Sequence, residues 1–224
     1  MIDRQKTDMC LGLCVRDYLI AQGVETPMTT TPTTTLDSDK RRTITECVKD
    51  IMTALNLDLS DDSLKETPKR IAKMYVDEIF SGLNYSNFPK VTTIENKMNY
   101  STFLLERKIA VKSVCEHHFV AFMGEAFVAY IPSKKVIGLS KINRIVEFFC
   151  RRPQVQERLT EQIFHALCYI LETDNVAVLI KAEHFCVKLR GAEDVNSDTV
   201  TTRLGGAFYE KESLRNELYN AIRS

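Results

Sequence analysis

Residues 176–190 read Val-Ala-Val-Leu-Ile-Lys-Ala-Glu-His-Phe-Cys-Val-Lys-Leu-Arg, dense in β-branched and small apolar residues, and predict a strand. A period of two places Val176, Val178, Ile180, Ala182, His184, Cys186, Lys188 and Arg190 on one face. The first half of that face is apolar and belongs in a core. The second half carries an imidazole, a thiol and two cations. A face that changes character in this way leads from a packed interior into a reactive site.

Outward from this strand the periods change. Upstream, one helix starts at Ser140 with Ile142, Ile145, Val146 and Phe149 inward, and a second opens at Pro153 with Val155, Leu159, Ile163, Leu167 and Ile170 inward. Residues 125–131, Glu-Ala-Phe-Val-Ala-Tyr-Ile, predict another strand. Downstream, a last strand near residues 198–204 leads to Gly205-Gly206 and a polar helix over 211–222. Toward the N-terminus, Thr67 as N-cap and Pro68 at the first helical position announce a helix that ends at Ser81-Gly82. Before it, Val48, Ile51, Met52 and Leu55 recur at helical spacing. Helix, helix, strands, helix, helix, strands is the order of an α+β fold with an antiparallel sheet. Residues 8–22 predict a short helix with Leu11, Val15, Tyr18 and Leu19 on one face, an accessory arm joined by a Thr/Pro-rich linker over 26–38.

Thirty basic residues balance thirty acidic ones, so no global field draws the chain to nucleic acid or to an anionic membrane; any bound anion must meet a local cluster. The N-terminal stretch carries Asp3, Arg4, Lys6 and Asp8, and its apolar runs are too short for a signal-peptide core or a membrane span, which predicts the cytoplasm. Seven scattered cysteines are not the disulfide framework of a small secreted domain.

Cys115-Glu116-His117-His118 sets a thiol and an imidazole at C-x-x-H spacing, which one turn can gather around a small cation. A packed cysteine beside hydrogen-bonded histidines would explain that segment alone; the second cluster on 176–190 decides against it. Three of the four histidines lie within three residues of a cysteine, while His165 stands in a helix. Counting ligands gives Cys115, His118 and Cys186, with His117 and His184 as acid–base groups. Thiolate with imidazole favours zinc, and three protein ligands leave the fourth tetrahedral position for water, the catalytic pattern.

Gly138-Leu-Ser-Lys-Ile-Asn-Arg144 reads as a strand end entering a helix capped by Ser140, and such a terminus attracts anions. Lys141 and Arg144, which on their own read as a solvated basic face, join Lys188 and Arg190 as a polyphosphate pocket; no G-x-x-x-x-G-K-[ST] loop is present. Glu157, in the first turn of the next helix, offers a carboxylate that suits the paired N–H donors of guanine and leaves adenine unmatched.

Cys-Glu-His-His at 115–118, Gly-Leu-Ser-Lys-Ile-Asn-Arg at 138–144, Arg-Pro-Gln-Val-Gln-Glu-Arg-Leu-Thr at 152–160 and His-Phe-Cys-Val-Lys-Leu-Arg-Gly at 184–191 together resemble the signature blocks of the bacterial-type GTP cyclohydrolase I family. The resemblance runs from about residue 45 to the C-terminus, dividing the chain into an arm over 1–44 and a catalytic domain over 45–224. It implies the tunnelling fold, an antiparallel sheet with helices on one face, assembled as a homodecamer of two pentameric rings. It implies Zn2+ on Cys115, His118 and Cys186, and catalytic roles for His117, His184 and Ser140. Guanine recognition falls to Gln156 and Glu157, and triphosphate contacts to Ser140, Lys141, Arg144, Arg190 and Arg70. The implied activity is conversion of GTP to 7,8-dihydroneopterin triphosphate with release of formate. Two competing readings are a tunnelling-fold enzyme for another purine or pterin that uses Cys115 as a nucleophile, and a catalytically silent GTP-binding subunit.

Overall fold

The computed structural model describes residues 4–29 and 36–223, so part of the predicted linker, residues 30–35, lies outside the described residues. The chain divides into two compact units, one within Pro27–Ser81, the other formed by Asp3–Thr26 together with Gly82–Ser224. Residue 44 falls inside a continuous helix of the first unit.

The first unit holds α2 (Asp37–Ala54) and α3 (Thr67–Met74), the latter continued by a π turn over Tyr75–Ile79. Pro68 sits in the first turn of α3 as predicted, although Glu66, not Thr67, takes the N-cap position. Val48 and Met52 are buried, but Ile51 and Leu55 are exposed, so the apolar stripe of α2 is narrower than its sequence pattern. Arg41 pairs with Asp77 at 2.6 Å.

The second unit is built on a sheet. Its elements, after α1 (Met9–Ala21), are β1 (Thr93–Glu95), β2 (Leu104–Cys115), β3 (Ala121–Tyr130), β4 (Lys135–Ile137), α4 (Leu139–Cys150), β5 (Pro153–Gln154), α5 (Gln156–Leu171), β6 (Val176–His184), α6 (Phe185–Lys188), β7 (Thr199–Leu204), α7 (Ala207–Glu210) and α8 (Glu212–Arg223). The main sheet has the order β5-β2-β3-β6-β7, antiparallel except where β5 joins β2 in parallel; β1 and β4 form a separate pair. The fold is therefore α+β with a mixed sheet.

Alternation along β3 and β6 sends Val128, Val178 and Ile180 to one face, where they pack with Ile142, Ile145, Phe149, Leu159, Ile163 and Leu167 from α4 and α5. The intervening Ala129 and Ala177 face the other way and pack with Phe208 and Leu218 of α7 and α8. Helices thus cover both faces, against the expectation of one, because α8 presents Leu214, Leu218 and Ile222 at helical spacing. Strand β2 escaped prediction: Glu106-Arg107-Lys108 hides its alternation, and a bulge lies there, with Lys108 at φ 57°. Val15 and Leu19 of α1 are fully buried in the main core, so this helix is integral to the unit and not an appended arm.

At Gly124 the backbones of β3 and β6 leave no room for a side chain: a Cβ there would meet Lys181 O at 1.9 Å and Ala182 Cα at 2.6 Å. Gly124→Ala is expected to cost about 1–3 kcal/mol by overpacking, read as a lower urea midpoint at unchanged slope.

Candidate metal centre and active site

The Cys115–His118 segment is the turn between β2 and β3. Cys115 N–H donates to Val120 O and Phe119 N–H to Cys115 O, each at 2.9 Å, with Phe119 at φ 52°. Strand β5 braces this turn: Cys115 pairs with Gln154, and Glu116 N–H donates to Gln154 O at 3.0 Å. The helix predicted from Pro153 begins instead at Gln156, since residues 153–154 are drawn into the ladder at the sheet edge, where a proline is tolerated.

The register of β6 on β3 places His184 opposite Phe122, so β6 ends where the hairpin turns. The period-two reading of 176–190 holds only to His184. Beyond that residue the ladder ends on both sides, and the backbone closes a helical turn in which Leu189 N–H donates to Phe185 O at 2.9 Å. That turn carries Cys186 toward the hairpin. Ligand atoms of Cys115, His118 and Cys186 lie within 4.8 Å of one another; Cys115 is buried, Cys186 half-buried and His118 exposed. Two thiols and one imidazole at such separations suit a tetrahedral ion with bonds of about 2.0–2.3 Å. Burial first, then the Cys115 thiol, hold the Cys186 thiol above its ordinary value, so a bound cation displaces a proton there. Arg190 Nη1 lies 2.8 Å from His118 Nε2 and His117 Nδ1 lies 3.7 Å from Cys115 Sγ, which brings both residues to the metal turn.

His184 stacks on Phe122, with ring centroids 4.7 Å apart and an interplanar angle of 12°. Its Nε2 lies 2.8 Å from Gln156 Oε1. The amide nitrogen of Gln156 faces Ile180 O, Thr199 O and Thr201 Oγ1 at 3.0–3.1 Å, so its oxygen is the atom turned to the imidazole and His184 Nε2–H donates. Burial pushes His184 below its ordinary value, opposed by the Glu157 carboxylate, which favours the neutral ring with Nδ1 unprotonated. Gln156 is itself buried, while Glu157 is exposed and its carboxylate has no hydrogen bond among the described residues.

Ser140, Lys141 and Arg144 open α4, but Gly138 takes the N-cap position in extended conformation and Ser140 makes no capping bond. The other end of α4 abuts the metal hairpin, where Ser113 Oγ donates to Cys150 O at 2.7 Å. Ser140 stands about 15 Å along the helix from that end, at 1.5 Å per residue. Among the described residues no hydrogen bond joins these three residues to the metal set. Lys188, expected in the anion pocket, is instead committed to Glu183 Oε2 at 2.9 Å and Val195 O at 2.7 Å, tethering the loop that carries Arg190. Arg70 belongs to α3 of the first unit.

Spacing gave no sign of one contact here. Arg158 Nη1 and Nη2 donate to Glu116 Oε2 and Oε1 at 2.5 and 3.3 Å, a fork that fastens the metal turn to α5 one residue beyond Glu157. Both residues sit inside the quoted blocks, but their pairing depends on β5 bringing the two segments together. A hollow of about 590 Å³, lined by Tyr18, Tyr169, Lys135 and Asp174 among others, includes none of the predicted site residues.

Residues 44–223 match the family model described as GTP cyclohydrolase I. A GTP cyclohydrolase 1 of Enterobacter sp. (strain 638) is 59% identical over 210 residues, covering 93% of this chain and 94% of its own. That of Klebsiella pneumoniae subsp. pneumoniae is 59% identical over 213 residues, covering 95% and 96%. The chain belongs to the GTP cyclohydrolase I family. The metal dependence of the GTP cyclohydrolase I family and the Cys-His-Cys cluster agree. The likeness to the Enterobacter and Klebsiella relatives extends N-terminal of residue 44, since the aligned lengths exceed the span of the family match. No helix among the described residues is long and apolar enough to cross a membrane.

Replacing Gln156 by leucine removes the partner of His184 and the donor to three oxygens. Gln156→Leu is expected to lower stability by about 1–3 kcal/mol through unsatisfied buried groups, measured by urea denaturation.

Proposed function

We propose that Cys115, His118 and Cys186 hold one zinc ion, and that beside it the chain carries out the reaction of its family. GTP is opened at C8 of its imidazole ring, formate is released, the ribose undergoes an Amadori rearrangement, and ring closure gives 7,8-dihydroneopterin triphosphate, the first step toward pterins and tetrahydrofolate. The observation that carries this reading is the convergence of two thiols and an imidazole within 4.8 Å, beside a second, half-buried imidazole whose Nε2 is already occupied. When bound, zinc supplies Lewis-acid chemistry that makes water a nucleophile near neutral pH.

The remaining work falls to side chains. His184 exchanges protons through Nδ1, because Gln156 holds Nε2 and fixes the tautomer. His117, exposed on the metal turn, is the second proton-transfer group, and Ser140 assists the later rearrangement. Glu157 accepts from the ring N–H and the amino group of guanine. The Gln156 side chain is engaged inside the protein, so its contribution to the base is the N–H of the first helical turn, which has no intrahelical partner. Lys141, Arg144, Arg190 and Arg70 meet the triphosphate.

Assembly into a decamer of two pentameric rings in the tunnelling fold, with sites between subunits, is supported by two features. Strand β7 and most of β2 are edges of the sheet, and unpaired edges invite strand pairing with another copy. The anion-binding start of α4 and the metal turn stand at opposite ends of that helix within one chain.

The zinc-loaded protein is expected to release formate and form a fluorescent oxidised pterin from GTP and from neither ATP nor buffer. Formate without pterin would locate the failure after ring opening; neither product, with zinc bound, would favour the silent-subunit reading. Cys186→Ala is expected to lose both the metal and the formate. A Cys186→Ala protein that keeps its zinc and full turnover would overturn the ligand assignment.

A further inference from the structure

Arg152 is fully buried and its guanidinium lies 4.9–5.2 Å from the ring centroids of Phe148, Phe149 and Tyr85. Its Nη1 donates to Glu25 Oε1 at 3.0 Å and to Thr26 Oγ1 at 3.3 Å, and its Nη2 donates to Gly82 O. Glu25 also accepts from the Tyr85 hydroxyl and from Thr26 N–H at 2.8 Å. Burial holds the Tyr85 phenol above its ordinary value, so it remains a donor to that carboxylate. A guanidinium this deep demands a charge partner, and the partner comes from the segment that follows α1.

A second route joins the same two regions. Gln162 Nε2 donates to Val24 O at 3.0 Å and to Thr26 Oγ1 at 3.3 Å, while its oxygen accepts from Gln154 Nε2 at 2.7 Å. Gln154 Nε2 also donates to Phe149 O at 2.9 Å. Both routes end on Arg152-Pro153-Gln154, whose last two residues are β5. That strand pairs only Val114 with Pro153 and Cys115 with Gln154, too little ladder to hold itself in place. Yet Gln154 O receives the Glu116 N–H of the metal turn. The expected linker residue Thr26 is accordingly buried and occupied on its hydroxyl.

We propose that Glu25 and Arg152 are positioning residues for the metal turn. Glu25 neutralises and orients Arg152, Arg152 holds β5 against β2, and β5 fixes the backbone of Cys115 and Glu116 so that the Cys115 thiol stands at the distance Cys186 and His118 require. The N-terminal segment thereby acts on the metal centre without touching it. This inference rests on the zinc reading of the cluster, and its test separates the two.

The test uses the full-length chain carrying Glu25→Gln, with zinc affinity measured by competition against a chelator. Hydrogen exchange of the metal-free protein is followed by peptide-resolved mass spectrometry over residues 113–120 and 176–182. The variant is expected to bind zinc roughly 10–100-fold more weakly, as when the support of a ligand is removed, and to exchange faster over 113–120 with 176–182 unchanged. Wild-type affinity and protection over 113–120, or equal acceleration of both peptides, would overturn the proposal. Glu25→Gln combined with Arg152→Met removes both charges and keeps an apolar filler. It is expected to recover the thermal midpoint lost in the single variant while 113–120 stays fast; recovery of turn protection and zinc affinity together with stability would overturn the proposal. A wild-type chain that binds no zinc would sink the zinc reading alone, since the exchange data still judge the clamp.

Discussion

At one end of the five-stranded sheet, the antiparallel register that sets Phe122 opposite His184 brings the β2–β3 turn and the exit of β6 to the same edge. Cys115 and Cys186 are 71 positions apart in sequence, and only this register makes them neighbours. A slip of one residue would send the alternating side chains of β6 to the wrong face. The register is held by Val128, Val178 and Ile180 packed on α4 and α5 on one side and by Ala129 and Ala177 under α7 and α8 on the other. Core packing and site geometry are thus one constraint.

Around that edge the protein uses rigid supports in preference to the ligands' own loops. Gln156 sets the tautomer of His184 while satisfying strand carbonyls; Arg158 fastens Glu116; β5 receives the Glu116 N–H. Each support is buried or half-buried and comes from α5 or the segment just before it. Helix α5 therefore carries the exposed Glu157 in its first turn and, one residue to either side, the groups that hold His184 and Glu116.

Charge is paired where it is buried or half-buried and left open on the surface. Arg152 has Glu25, and Lys188 has Glu183 with Val195 O, whereas Glu157 is exposed.

Much was legible in the sequence by itself: the Cys115, His118 and Cys186 cluster, the helix faces of α4 and α5 and the apolar half of β6, because residue chemistry and short-range period point to them. The same local signals read past the end of β6, placed a helix start at Pro153 and passed over β2, since those boundaries depend on where a neighbouring strand stops offering hydrogen bonds. Composition marked Thr26 as linker and α1 as an appendage; tertiary packing made both part of the sheet unit. The sequence determined which groups are available for chemistry, and the tertiary structure alone decided which of them meet, because contacts across 71 or 127 positions are set by register and burial, to which no local pattern refers.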